Sequence, residues 1–135
     1  MSLSSLINVV CGKSVNLKDL KDGNITVHKN GSKTYMKDIE SNLPDEDCIL
    51  ITQMSVDVIF VDKTDTKKHF ASTGCVIITL KENKKETVLL KYLFFCFSAF
   101  GIIKELKRNR CGSCQQSISK NRMEDVFKSV GLTDL

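Results

Sequence analysis

From residue 25 to residue 95 the apolar residues come in short runs bounded by turn signals, most with the two-residue alternation of β-strands, and no clear helical stretch separates them. Strands that follow one another without intervening helices argue against a doubly wound parallel sheet and for antiparallel pairing. The runs Ile25–Lys29 and Lys33–Lys37 flank Asn30-Gly31, a pair that favours a type I′ hairpin turn because both residues accept positive φ. Cys48–Thr52 is a strand. Val56–Asp62 is another, with Val56, Val58 and Phe60 on one face and Ile59 and Val61 on the other. A weaker strand, His69–Thr73, ends at Gly74, which permits a bend. Val76–Leu80 and Thr87–Phe95 read as a second hairpin around a polar stretch from Lys81 to Glu86. The acidic stretch containing Pro44 is a loop. Residues 4–11 form a short apolar segment that fits a strand or a helical turn equally well.

The chain then changes character. Ser98 can cap a helix running to about Asn109, with Ala99, Ile102, Ile103 and Leu106 on one face and Lys104, Lys107 and Arg108 on the other. Cys111-Gly-Ser-Cys114 ends it. A last helix starts at Asn121, with Glu124 placed as in a capping box, a stripe of Met123, Val126, Phe127 and Val130, and Gly131 as its stop. The run Val88–Ile103 has one charge in sixteen residues, Lys91. It can be strand plus helix, one core helix from Thr87 to about Asn109, or a membrane span. A span needs about 20 apolar residues, and strand plus helix is the reading adopted.

The expected fold class is therefore α+β: a strongly bent sheet or barrel of about seven strands, capped by a C-terminal helix and followed by a short terminal helix. A chain of 135 residues makes one domain. It divides into an N-terminal segment (1–21), the barrel or sandwich with its capping helix (22–110), and the Cys-x-x-Cys turn with the terminal helix (111–135). Seven strands in one sheet must bend, close or be covered to hide their edges. This element order resembles the pleckstrin-homology architecture over roughly residues 22–110. The resemblance rests on order alone; no family motif accompanies it, and the chain has no Trp.

The chemistry-bearing residues are sparse. No basic start and long apolar stretch of a secretory signal is present, which predicts an intracellular protein, cytoplasmic or nuclear, with six free cysteines. Cys48, Cys75 and Cys96 sit in or beside apolar runs and read as buried. Cys111 and Cys114 could bind zinc or form a redox disulfide. Zinc needs further ligands, however, and a redox pair should begin a helix rather than follow one, so a plain turn is the preferred reading. No metal and no cofactor is expected. His28, beside the hairpin turn, reads as exposed, and His69 opens a weak strand. There is no Gly-x-Ser-x-Gly elbow and no phosphate-binding glycine loop, which predicts a non-enzyme.

Charge is unevenly placed. The net charge is +4, with five acids and no base from Asp38 to Asp47, but six bases against one acid from Lys104 to Arg122. Lys104, Lys107, Arg108, Arg110, Lys120 and Arg122 form the candidate basic face, with Lys63, Lys67, Lys68, Lys84 and Lys85 in loops. Most aromatics lie inside apolar runs, leaving Tyr35 as the one free to stack. Two functions follow. The first is a protein-binding adaptor or scaffold that holds a partner segment, or a second copy, through a sheet edge or the terminal-helix stripe Met123, Val126, Phe127 and Val130. The alternative is an anionic-ligand binder, of nucleic acid or phosphoinositide, using the basic face. The lack of a catalytic constellation favours the first.

Overall fold

The computed structural model describes residues 2–29, 34–38, 46–82, 87–99, 101–112 and 116–131. Among these, seven strands form two sheets. In the larger, β1 (Ile7–Cys11), β7 (Cys75–Leu80), β4 (Cys48–Thr52) and β5 (Val58–Val61) lie in that order, all antiparallel. In the smaller, β2 (Asp22–His28) is central, antiparallel to β3 (Thr34–Lys37) and parallel to β6 (Lys68–Ala71).

The continuous apolar run of β4 belongs to a strand covered on both faces. Ile49 and Ile51 face the main core, Cys48 and Leu50 face a second cluster with Val61, Ala71 and Cys75, and all of β4 is buried. Three helices cover the first face: α1 (Thr87–Ala99), α2 (Ile102–Arg108) and α3 (Lys120–Ser129). Leu90, Leu93 and Phe97 of α1, Leu106 of α2 and Met123 and Phe127 of α3 are essentially inaccessible, and Phe97 meets Phe127 edge to face with centroids 5.7 Å apart. A third, smaller cluster joins Ile25, Val27 and Phe70 to Val15, Leu17 and Leu20, so the 12–21 segment covers one face of the small sheet.

The sheets meet where β6 passes into β7. Gly74 turns the chain with φ +93°. The ends of three other strands bond to this corner: the Ser72 N–H donates to His28 O (2.9 Å), Gly12 N–H to Cys75 O (2.8 Å) and Gln53 N–H to Gly74 O (2.8 Å). Gly12 must be glycine here, because a Cβ would stand 2.2 Å from the Ser72 carbonyl oxygen.

Several expectations are corrected. The described residues form no closed barrel, and two sheets under three helices are not the pleckstrin-homology arrangement; the coarse α+β class holds. Thr87–Phe95 is not a strand but most of α1. Its helical period, Leu90, Leu93 and Phe97 inward with Lys91 and Phe95 outward, is masked because Tyr92, Phe94 and Phe95 are aromatic on the other sides. The helix expected to start at Ser98 is two helices, broken at Gly101 (φ +73°), and Ser98 lies inside α1. Residues 4–11, open between strand and helical turn, hold both: a 3-10 turn at Leu3–Ser5 and then β1. The strand expected from Val56 begins at Val58, since Val56 takes φ +54° in a tight turn. The cap of α3 is Ser119, whose Oγ accepts from Arg122 N–H, rather than Asn121, and Gly131 bridges to Ser2 instead of stopping the helix in a left-handed turn. The Asn30-Gly31 turn and most of the acidic loop lie outside the described residues.

Phe127→Ala is expected to cost about 3–5 kcal/mol, and Gly12→Ala at least about 1–3 kcal/mol, both read as urea midpoints. A chain ending at Ser119 should lose its cooperative unfolding transition, because α3 closes the core.

Candidate nucleic-acid interface

The basic residues do not act alike once placed. Lys104, Lys107 and Arg108 are exposed on α2, opposite the buried Ile102 and Leu106. Arg108 Nη1 lies 3.2 Å from Glu105 Oε2, an exposed pair worth little in water. Arg110 is a strap. Its Nη1 donates to the Met54 carbonyl (2.9 Å) and its Nε to Lys107 O (3.1 Å), tying the β4–β5 turn to the end of α2. Gln53 reinforces this, as its Nε2 donates to Ile118 O (3.0 Å) and its carbonyl accepts from Ile118 N–H (2.9 Å). Lys120 pairs with Glu124 (3.3 Å) and Arg122 is exposed, both in the first turn of α3, which packs on α2. The stripe expected to hold a partner is occupied by the chain's own core: Met123, Val126 and Phe127 are buried and Val130 is half-buried against it.

A second basic cluster lies at the β5–β6 loop, where Lys63 and Lys67 are exposed, and at the start of β6, where Lys68 is exposed opposite Ile25. Asp62 and Asp65 of the loop, and Asp47 before β4, accept surface hydrogen bonds from backbone and hydroxyl donors of the loop. Asp62 accepts from Thr64 N–H (2.9 Å) and Oγ1 (2.7 Å), which holds its carboxyl below the usual range. Asp65 accepts from Lys67 N–H (3.2 Å), and Asp47 from Lys63 N–H (2.9 Å). Lys68 Nζ donates to Lys63 O (3.3 Å). Lys84 and Lys85 lie outside the described residues.

Beside this loop is a pair absent from the sequence reading. His28 is buried, not exposed, and its ring lies near-parallel to that of His69, with centroids 5.1 Å apart and Nε2 2.8 Å from His69 Nδ1. One ring donates and the other accepts, so a second proton between them is disfavoured. Burial, and then the neighbouring His69, push His28 down to about 4. His69 is lowered by burial, with Lys67 acting in the same direction and Asp65 against it. No local signal joins residues 41 apart; the parallel pairing of β2 with β6 does so. In that register Met36, Thr26 and His69 form one row on the sheet face away from the Val15–Leu20 cluster, with Met36 49% exposed, and Thr26 Oγ1 donates to Met36 Sδ at 3.4 Å.

Burial raises the Cys48 and Cys75 thiols to about 12 and also raises Cys96, so none of the three is a ready nucleophile. Cys111 is exposed and Cys114 lies outside the described residues. Among the described residues no three His, Cys, Asp or Glu gather as metal ligands, and no helix is long and apolar enough to cross a membrane.

Comparison with known proteins gives a family and a fold. The family described as "Type I restriction modification DNA specificity domain" matches residues 1–127. The crystal structure of the type I restriction-modification system S subunit from M. genitalium superimposes with TM-score 0.71 at 15% identity, covering 92% of this chain and 32% of that one. The HsdS subunit from Thermoanaerobacter tengcongensis aligns at 10% identity with TM-score 0.46, covering 94% of this chain and 34% of that one. The chain thus spans about a third of the length of these solved chains. No curated protein sequence matches it. The family match overturns the expectation of a protein-binding adaptor and favours its alternative, with nucleic acid rather than lipid as the anion.

The buried histidine pair sets a pH dependence. In the unfolded chain His28 takes up a proton near pH 6.5, and in the folded chain only near 4. Its stabilising contribution is therefore full above pH 6.5 and is lost as pH falls toward 4, with the lowered His69 acting in the same sense. Between pH 6.5 and 4 the melting temperature should fall by roughly 5 °C or more, and less in His28→Gln when followed by circular dichroism.

Proposed function

We propose, from the premise that the chain belongs to the Type I restriction modification DNA specificity domain family, that it binds double-stranded DNA and selects its sequence for a larger restriction-modification assembly. The match over residues 1–127 of 135 carries this reading. The placed charges support it. Lys104, Lys107 and Arg108 on α2, with Arg122 on the neighbouring helix, offer cations to phosphate, and the acids on these two helices are Glu105, Glu124 and Asp125. Exposed lysines and arginines neutralise phosphates and release counterions, which gives affinity without sequence information.

In this reading the domain does no covalent chemistry. Among the described residues Cys48, Cys75 and Cys96 are buried and Cys11 and Cys111 exposed, and the two histidines bond to each other. Cleavage or methylation falls to partner proteins, so the protein partner expected from the sequence becomes another subunit of the assembly, met inside the cell where DNA is. Arg110 and Lys120 serve the fold more than the ligand, being held by Met54 and Glu124.

The test is DNA affinity as a function of salt, by fluorescence anisotropy with duplex oligonucleotides. Affinity should fall steeply with salt. Reversing Lys104, Lys107 and Arg108 to Glu together should weaken binding at least about tenfold and reduce the salt slope by about 2–3. Unchanged binding in that variant would remove α2 from the interface, and salt-independent or absent binding by the native chain would remove the DNA reading.

A further inference from the structure

We infer that the face of the small sheet carrying Met36, Thr26 and His69 is the base-reading surface, with that row entering the major groove and Lys63 and Lys67 of the adjoining loop holding the flanking phosphates. This rests on the DNA reading above and deepens it. Phosphate contacts position a protein on DNA, whereas sequence is read at base edges, so a specificity domain needs a surface with directional donors, acceptors and apolar contacts beside its cations. The α2 face offers Lys104, Lys107 and Arg108 beside Glu105, a set suited to phosphate more than to base edges. The small sheet has the rest.

The geometry fits a duplex. The major groove, about 12 Å wide, admits β-strands lying in it, and the edge strand β3 with β2 presents Met36 and Thr26 there, while His69 on β6 continues the row along the other side of β2. The opposite face of this sheet is closed by Val15, Leu17 and Leu20, and on the Met36 face Met36 is exposed and Thr26 and His69 are half-buried, with His28 and Ala71 buried at its far end. Across it the side chains differ in chemistry. Met36 can meet a thymine methyl, the Thr26 hydroxyl can donate or accept, and the His69 ring can address a purine N7 or O6. The β5–β6 loop stands next to this row: Lys67 and Asp65 are both close enough to His69 to act on its charge. Its two lysines, Lys63 and Lys67, are exposed while Asp62, Asp65 and Asp47 each accept hydrogen bonds from within the loop, which suits a polyanion beside it.

His28 is a positioning residue in this arrangement. Its Nε2 is bonded to His69 Nδ1 at 2.8 Å, which fixes the ring plane and leaves Nε2 of His69 for a base. The hydrogen between the rings also decides what His69 presents. With His28 as donor the neutral His69 carries its hydrogen on Nε2 and donates outward; with His28 as acceptor it offers a bare nitrogen. A reader whose tautomer is set by a buried partner has a defined preference among base edges.

The test uses the full protein, selecting preferred duplexes from a random-sequence pool and sequencing what is retained. The native chain should retain a defined sequence. His69→Phe keeps an aromatic ring and removes both nitrogens; it should flatten the preference at one or two adjacent base pairs from about tenfold to under about twofold, with the salt slope unchanged. His28→Leu should flatten the same positions, and His28→Gln, which retains a bonding group, should recover part of the preference, a result that a purely structural role would not give. Met36→Glu, at an exposed position that should not disturb folding, should weaken the selected duplex at least about tenfold through repulsion. Native selection retained in both His69→Phe and Met36→Glu would overturn this inference while leaving the DNA reading standing. Failure of the native chain to retain any duplex would overturn both.

Discussion

The two sheets are held in one structure by the backbone corner Ser72–Cys75. Three strand ends converge there, from β1, β2 and β4, where the ladders β1–β7, β2–β6 and β4–β7 each add a last hydrogen bond at the corner. Such convergence works only if backbones approach closely, and Gly12 against the Ser72 carbonyl is where a side chain would prevent it. The buried thiol of Cys75, donating to His28 O at 3.1 Å, fills the remaining space with a small weak donor. Because His28, Ser72 and Cys75 are buried, leaving their backbone groups unpaired costs the desolvation of an amide, which makes the corner specific as well as stable.

The division of the surface follows from this corner. It directs β6 alongside β2, in parallel, and so brings His69 onto His28 and aligns Met36, Thr26 and His69 across the small sheet. It also leaves one face of the large sheet free for helices. Those helices bury their apolar sides, and the basic side of α2 is left in water. A cationic helix face and a chemically mixed sheet face are thus two outcomes of one arrangement, the first suited to any phosphate backbone and the second to a particular base edge.

Much of this was readable from residues alone, and the failures have physical causes. β2 through β7 were legible, within a residue or two at most ends, from alternation and from turn residues such as Gly74. The inward stripe of α3 was legible from its spacing, although the surface it covers was not. It buries in its own core because that core needs a third helix, and an isolated pattern cannot say which apolar surface is nearest. α1 was missed because aromatic residues surround it; a helix packed against a sheet on one side and carrying Phe95 on the other shows little amphipathic contrast. The barrel was an inference from strand count, which is silent about whether strands share a sheet.

The sequence by itself determined the α+β class, most of the strands, the buried cysteines and the exposed lysines and arginine of α2, because each depends on periodicity or polarity within a dozen residues. Only the tertiary structure decided the pairing of β2 with β6, the histidine pair, the role of Arg110 as a strap and the burial of the terminal stripe. These depend on contacts between residues far apart in the chain, where the choice of partner is set by competing buried surfaces and not by any local pattern.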